Sequence, residues 1–321
     1  MKRVIVTGAT GVIGMSLVKE LLKNDCEVTV ICHRNSARKR RLEEWKDKTF
    51  RGVLSTVDCD LDEIKSLVKR LESGYDIWYH MAWEGTTGTS RNNVEMQLRN
   101  VQFAIDAVET AKNLGCRRFV GLGSQAEYGM VEDILNEQTA AEPKTGYGIG
   151  KLAAGHFTRL RCGQLGIEHI WVRVLSVYGP YDTERSLVMS AIRLFLSGKA
   201  FDCTGAEQIW DYLYAEDAAR ALILLGSKGK SGEVYVLGSG RGEILRDYIE
   251  KIRKAVAQNI EKGKSIVVPE ANYGAIPYGE NQVMHLVADI SKIHRDTEFL
   301  PEISFEEGIR KTVAWCRKEY T

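Results

Sequence analysis

Close to its start the chain reads Val4-Ile5-Val6-Thr7-Gly8-Ala9-Thr10-Gly11-Val12-Ile13-Gly14, and few folds accept that segment. A short strand-forming run meets a glycine turn. The turn feeds a stretch whose apolar residues Ile13, Leu17, Val18, Leu21 and Leu22 share one helical face. The alternation then repeats. Strands are expected at Glu27–Cys32, Gly52–Val57, Asp76–Met81, Arg118–Leu122 and Glu168–Val174. Between them lie a helical face at Ile64, Leu67, Val68 and Leu71 and a long helix from about Arg91 to Asn113. Strands spaced by helices imply right-handed crossovers and a parallel sheet, with ligands at the carboxyl ends of the strands. The expected fold is therefore α/β, a Rossmann-type doubly wound parallel sheet.

After Gly179-Pro180 the rhythm loosens. Helices are expected near 187–196, 215–225, 245–257 and 304–318, strands near 209–213 and 234–237, and irregular chain elsewhere. This reads as a smaller, mixed C-terminal substrate domain. The predicted division gives residues 1–175, with 209–237 returning to them, to a dinucleotide-binding domain. Residues 176–208 and 238–321 form the substrate-binding part. Two loops stand out, the basic stretch His33–Trp45 and Glu84–Ser90, whose composition suggests mobility.

Gly8, Gly11 and Gly14 lie where a pyrophosphate would accept backbone N–H bonds at a positive helix end, with Thr10, Val12 and Ile13 beside it. The alternative is a purely structural tight turn. An acid at the end of the second strand would bond the 2′-hydroxyl of NAD. The chain instead has Cys32-His33-Arg34-Asn35-Ser36-Ala37-Arg38, with no carboxylate in reach. Arg34 and Arg38, flanked by His33 and Asn35, suit a 2′-phosphate, so NADP(H) is the expected cofactor. Lys39 to Arg41 read as a solvated basic run. Asp60-Leu61 is the expected adenine seat, with Asp60 accepting from its amino group.

Tyr147 and Lys151 are four residues apart and share a helical face. A phenol is a weak acid–base group at neutral pH, and a neighbouring ammonium favours its phenolate. Lys151 also suits a bond to a ribose. Glycines at 146, 148 and 150 are poor helix formers, a local conflict of the kind found at functional sites. Ser124, after the fifth strand, is placed to orient a carbonyl oxygen toward Tyr147, or else caps a turn.

A formal charge of +1 gives no electrostatic case for nucleic acid or an acidic membrane. Seven cysteines without CxxC spacing suggest free thiols in a reducing cytosol. The six histidines show no HxxxH or HExxH pattern, so no metal is expected, and His80 reads as a core residue. The early strand leaves no room for a signal peptide, and no apolar run reaches spanning length. A cytoplasmic location is expected.

Taken together these residues resemble the extended short-chain dehydrogenase/reductase family, in its nucleotide-sugar branch of epimerases, dehydratases and reductases. The resemblance runs through Asp60-Leu61, His80-Met81-Ala82, Asn100, Ser124, Tyr147/Lys151 and Val177-Tyr178-Gly179-Pro180. It continues through Asp211-Tyr212-Leu213-Tyr214-Ala215-Glu216-Asp217-Ala218 and Asp289-Ile290-Ser291-Lys292. It implies Ser124, Tyr147 and Lys151 as the catalytic triad, with Met81 and Ala82 among the cofactor contacts. It also implies a homodimer packed through helices 91–113 and 147–165.

Departures from the family pattern narrow the chemistry. The 4,6-dehydratases carry an acid directly after the catalytic hydroxyl, where this chain has Gln125 and Ala126, with Glu127 offset by one. The 3,5-epimerising members need a Cys and a His, matched here by Ala126 and Tyr181. The Asn before Val-Tyr-Gly-Pro and the Arg before Asp-Tyr become Ser176 and Trp210. Arg91 and Arg185 are the replacement candidates for phosphate contact. Trp210 either stacks on the substrate or fills core, and Trp83 and Glu84 are expected to border the substrate. The resemblance thus points to NADPH-dependent 4-ketoreductases of nucleotide-linked deoxy sugars, such as those that make CDP-abequose and CDP-paratose. A 4-epimerase and a non-catalytic NADP-sensing scaffold are the competing readings.

Overall fold

The computed structural model describes residues 2–43, 45, 50–259 and 267–320. Glu44, in the basic stretch His33–Trp45, lies outside the described residues. The chain opens with β1 (Arg3–Thr7), α1 (Val12–Lys23), β2 (Glu27–Cys32), α2 (Arg40–Glu43), β3 (Val53–Asp58) and β4 (Ile77–His80). Next come α3 (Val94–Asn113), β5 (Arg118–Ser124), α4 (Gly146–Leu165) and β6 (Glu168–Val174). They are followed by β7 (Ser176–Tyr178), α5 (Leu187–Leu196), β8 (Asp202–Cys203), β9 (Ile209–Trp210), β10 (Tyr212–Tyr214), α6 (Ala215–Lys228) and β11 (Glu233–Leu237). The chain ends with β12 (Glu243–Ile244), α7 (Leu245–Asn259), β13 (Asn272–Tyr273), β14 (His285–Leu286), α8 (Ser291–Thr297) and α9 (Phe305–Tyr320).

Seven strands form one sheet in the order β3-β2-β1-β4-β5-β6-β11, and every pairing in it is parallel. Alternating side chains feed two layers. Val4 and Val6 pack with α1 and α6 on one face, while Ile5, Trp78 and Phe119 meet α3 and α4 on the other. The strand order reverses between β1 and β4, and that switch point opens a crevice at the carboxyl edge. Thr7 stitches the crevice floor. Its hydroxyl accepts from Met81 N at 3.2 Å and pairs with His80 Nδ1 at 3.0 Å. Burial depresses His80 to about 3, so it stays neutral in the core.

A second core gathers Val188, Ile192 and Phe195 of α5, Tyr248 and Ile252 of α7, and Ile309 and Val313 of α9. Two buried aspartates, Asp211 and Asp217, bind backbone from distant segments beside it. Asp211 accepts from Ser239 N (2.7 Å), Gly240 N (3.0 Å) and Ala288 N (3.2 Å). Asp217 accepts from Ile303 N at 2.9 Å. The Asp-Tyr motif is thus a clasp for distant backbone.

That clasp explains one correction. The single strand expected at 209–213 is two, broken at Asp211, and β9 pairs with β12 and β14 outside the main sheet. The chain rejoins the sheet core only with Leu213 and α6. Conversely, Ile293 of α8 and Phe299, expected in the substrate part, pack into the sheet core. Residues 61–69 form a 3-10 helix, not an α-helix. At three residues per turn Ile64 and Leu67 align inward and Val68 is left exposed.

Loop expectations also change. Glu84–Ser90 is held, not loose: Asn100 bonds both the N–H and C=O of Glu84 at 2.9 Å, and Gln97 Nε2 reaches the carbonyls of Gly85 and Ser90 at 3.1 Å. Lys39 grips Asp58 at 2.6 Å, and Arg41 lies over the rings of Tyr181 and Trp315. Neither is a freely solvated charge. Among the described residues no helix is long and apolar enough to cross a membrane.

Candidate active site

The glycine turn has two kinds of glycine. Gly8 sits at φ +74° with Ala82 N only 2.6 Å from where a Cβ would stand, and Gly14 lies against Gly8 and Ala9. Both are demanded by the protein's own packing. Gly11 is different: a Cβ there meets only Gly8 O at 3.9 Å. It stands at the start of α1 with no side-chain cap, so backbone donors face open space. That geometry fits a dinucleotide pyrophosphate. A cleft of about 270 Å³ continues from it, walled by Gly8, Thr10, His33, Asp60, Leu61 and Ala82. Cys32, Ser36 and Cys59 also line it; Cys32 ends β2 and Cys59 follows β3, and those positions alone could have flagged them.

Trp83 and Glu84, expected beside the substrate, wall this cleft too. The fixed backbone of Glu84 places them there. Val12 and Ile13 begin α1, and Met81 packs against the sheet core. The expectation that no carboxylate reaches the end of β2 fails. Asp60 Oδ1 accepts from Arg34 N at 3.0 Å, and the Arg34 guanidinium pairs with Glu63. Parallel pairing of β2 with β3 brings those acids alongside. Asn35 N donates to His33 Nδ1 at 3.1 Å, and Arg38 is exposed.

Ser124 ends β5 and caps a 3-10 turn over Gln125–Glu127. Its N–H donates to Glu127 Oε1 at 2.8 Å, and its hydroxyl accepts from Ala126 N at 3.2 Å. Glu127 is fully buried and held by Arg173 Nε at 2.8 Å and Trp171 Nε1 at 3.1 Å. Room for the Trp171 indole comes from Gly121, Gly123 and Gly155, where any Cβ would strike the indole. The acid that sequence places one residue beyond the dehydratase position is therefore a structural anchor for Ser124. Gln125 is half-buried beside it.

The glycines of α4 have a packing cause. A Cβ at Gly148 would strike Ala126 O, one at Gly150 would stand 3.2 Å from the Trp83 ring, and one at Gly146 would stand 3.1 Å from Arg91 O. Helix propensity is surrendered so that the first turn of α4 lies directly on the loop bearing Ser124. The result brings the Tyr147 phenol beside the Ser124 hydroxyl. Burial raises the Tyr147 phenol, while the Ser124 hydroxyl and the Arg91 charge pull it down and Glu127 pushes it up.

Here the structure corrects the assigned electrostatics. Lys151 Nζ donates to Leu122 O at 2.6 Å and lies 4.0 Å from the Trp83 ring centre, against 5.9 Å from that of Tyr147. Burial pushes Lys151 down to about 7. The cation on the Tyr147 ring is Arg91, 4.6 Å from its centre.

Tyr147 also opens on a cavity of about 780 Å³, together with Arg91, Ser176, Asp182, Arg185 and Trp210. Trp210 Nε1 donates to Ser176 Oγ at 2.8 Å, so the two departures from the family pattern pair with each other. Tyr181 packs between Trp45 and Trp315 instead. Asp182, which sequence reasoning missed, is raised by burial to about 6. Gln125 is not among the cavity's walls. Among the described residues no three His, Cys, Asp or Glu side chains gather as a metal site would require.

Comparison with known proteins agrees with this geometry. Residues 4–238 match the model of the NAD dependent epimerase/dehydratase family. A dTDP-glucose 4,6-dehydratase of Neisseria meningitidis serogroup B is 28% identical, over 98% of this chain and 93% of that protein. Among solved structures, the UDP-N-acetylglucosamine 4-epimerase of Methanobrevibacter ruminantium, in complex with UDP-N-acetylmuramic acid, superposes with a TM-score of 0.85 at 23% identity, covering 99% of each chain. The dTDP-glucose 4,6-dehydratase of Streptomyces venezuelae, with NAD bound, gives 0.81 at 22% identity, covering 98% of this chain and 97% of that one. The chain belongs to the NAD dependent epimerase/dehydratase family, within the nucleotide-sugar branch of the extended short-chain dehydrogenases/reductases.

Proposed function

We propose that this protein reduces the 4-keto group of a nucleotide-linked deoxy sugar, using NADPH and Tyr147 as proton donor. The carrying observation is the Tyr147 phenol, set beside the Ser124 hydroxyl and facing the 780 Å³ cavity. Bound NADPH would supply the hydride. Gly8, Thr10, Gly11, Val12, Ile13 and Gly14 would hold its pyrophosphate, and Asp60 and Leu61 its adenine. His33, Arg34, Asn35 and Arg38 would meet the 2′-phosphate, Met81 and Ala82 the nicotinamide side, and Lys151 the ribose. Ser124 orients the substrate carbonyl, and Tyr147 protonates the alkoxide that forms. The cavity walls Arg185, Ser176 and Trp210 are read as substrate contacts.

Two features weigh against the alternatives in the family. Gln125 and Ala126 supply no acid for dehydration, and Glu127 is locked onto Arg173 and Trp171. Tyr181, packed against Trp315 at 5.1 Å, leaves no acid–base pair for 3,5-epimerisation.

The test is loss of NADPH absorbance with a panel of CDP-, dTDP-, GDP- and UDP-linked 4-keto-6-deoxy sugars. Consumption on one member supports the reductase and names its nucleotide. A second reading, the 4-epimerase, is favoured by the likeness to 4-epimerase structures. It predicts dinucleotide that co-purifies and no net NADPH consumption. If Tyr147→Phe leaves the biological activity intact while Gly11→Asp abolishes it, the protein is a non-catalytic sensor. We also infer a homodimer through α3 and α4, because Val94, Leu98, Ile149, Phe157 and Leu160 are exposed apolar residues on those helices. Phe157→Glu should then sediment as a monomer.

A further inference from the structure

The contacts around Tyr147 separate two jobs that the Tyr–Lys spacing assigns to one lysine. Lys151 is committed elsewhere: its ammonium is bonded to Leu122 O and covered by the Trp83 indole. Trp83 is itself fixed, through Nε1 to Gln97 Oε1 at 2.8 Å, and Gly150 leaves it room. The face of the Tyr147 ring is occupied instead by the Arg91 guanidinium, while Trp83 meets the same ring edge-on, 6.2 Å between centres at 90°.

Arg91 is delivered there by backbone, not by chance. It lies in the 3-10 turn Gly88–Asn92 that precedes α3. Asn92 Oδ1 accepts from Gly146 N at 3.0 Å, which pins the turn to the start of α4 one residue before the tyrosine. A Cβ at position 146 would stand 3.1 Å from Arg91 O and 3.3 Å from Asn92 Cα, so glycine there permits the approach. Arg91 Nη1 also donates to Thr86 O at 3.1 Å. The turn is thus pinned through Asn92, and the guanidinium through Thr86 O.

We propose that Arg91 is a positioning residue for Tyr147: stacked on the phenol ring, it fixes the ring's orientation and supplies the positive charge that the phenolate form needs. This deepens the proposed function, on whose assignment of Tyr147 as proton donor it rests, and it replaces the expectation that Arg91 grips a phosphate. The groups that face the phenol are Ser124 from β5, Arg91 from the 88–92 turn, Glu127 from the turn after β5, and Lys151 from α4 itself. Arg91 is the cation among those that shift it, and it acts in the direction of the phenolate.

The experiment is a pH titration of tyrosinate by ultraviolet difference absorbance, with Tyr147→Phe as the blank that isolates this one phenol. It uses the unliganded protein, so it reads Tyr147 whether or not a substrate has been found. Arg91→Gln should move the midpoint up by about one pH unit, and Arg91→Lys should return most of it. With an active substrate, the alkaline limb of kcat for reduction should move in the same direction, because the acid form persists to higher pH. An unchanged or lowered midpoint in Arg91→Gln overturns the proposal. If that result comes with weaker binding of UDP or dTDP, Arg91 is a phosphate contact. Equal shifts in the Gln and Lys variants also overturn it, since the charge would then be irrelevant. A shifted midpoint in a protein that turns over nothing sinks the reductase reading and leaves the Arg91 assignment standing.

Discussion

The dinucleotide cleft takes its walls from the turns after β1, β2, β3 and β4, each within a few residues of a strand end. The large cavity is assembled from residues between Thr87 and Gln282, drawn from helices, loops and two-residue strands. In the cleft, backbone is the working surface, and its shape follows from strand pairing. In the cavity, side chains are the working surface, and their meeting depends on packing of segments far apart in the chain. The first kind of site tolerates change along its helices but none at its glycines. The second is open to substitution at its walls, which is how one fold comes to serve different sugars.

The seam between the regions, behind Ser124, should show the largest effect. Glu127 and Arg173 are a buried pair, with side chains 0% and 8% exposed. Removing one partner of such a pair costs roughly 3–5 kcal/mol, because the remaining charge is left uncompensated. Glu127→Gln should therefore lower unfolding stability by about that amount in urea titration, and lower turnover because the one remaining oxygen cannot accept from both Ser124 N–H and Arg173. A stable protein with full turnover would mean that the two regions are not joined through this anchor.

The next prediction sets one glycine of the cleft against another. Gly8→Ala forces a side chain into a left-handed conformation and onto the backbone of Ala82. It should reduce stability by about 1–3 kcal/mol along with NADPH affinity. Gly11→Ala has open space around it and should leave the melting temperature nearly unchanged while weakening NADPH by an order of magnitude or more. Equal melting temperatures for the two variants would erase the distinction between packing glycines and ligand glycines.

That contrast also explains what could be read in advance. β2 and β6 have the expected bounds, and the glycine turn, Ser124, Tyr147 and Lys151 fall where a parallel sheet must put them, because periodicity of two and of 3.6 encodes those elements locally. The break at Asp211 was illegible: it exists to satisfy amides of Ser239, Gly240 and Ala288. The 3-10 geometry at 61–69 was equally hidden, since Val68 fits an α-helical stripe as well as any buried residue does. In the site, the contacts of Lys151 were illegible for a related reason. Spacing says that Lys151 shares a face with Tyr147, but not that Trp83 and Leu122 O would capture the ammonium first.

Lys151 offers a smaller, pH-dependent effect. Its ordinary value of 10.5 falls to about 7 in the folded protein. Between those values the unfolded chain holds a proton that the folded chain does not, so stability rises with pH across the window and is lost toward pH 7. Lys151→Met should flatten that rise, read as melting temperature against pH for both proteins. Parallel curves would mean that the ammonium is solvated, and that the cavity side of the site is wetter than its burial implies.

The smallest effect belongs to Arg34, and it sharpens the comparison most, because it asks whether a side chain matters in a site built from backbone. Arg34 is half-exposed and already paired with Glu63. An exposed pair of this kind is worth about 0–1 kcal/mol, so a dianionic 2′-phosphate can displace the carboxylate and gain charge-assisted hydrogen bonds of about 1.5–3 kcal/mol. Arg34→Ala should then raise the Kd for NADPH about tenfold, leave that for NADH unchanged and barely alter stability. Glu63→Gln should act in the opposite sense and tighten NADPH, since the guanidinium no longer has to leave a partner. Equal losses for both dinucleotides in Arg34→Ala, or weaker NADPH in Glu63→Gln, would assign the 2′ position to a ribose hydroxyl held by the neighbouring acids, and the cofactor to NAD.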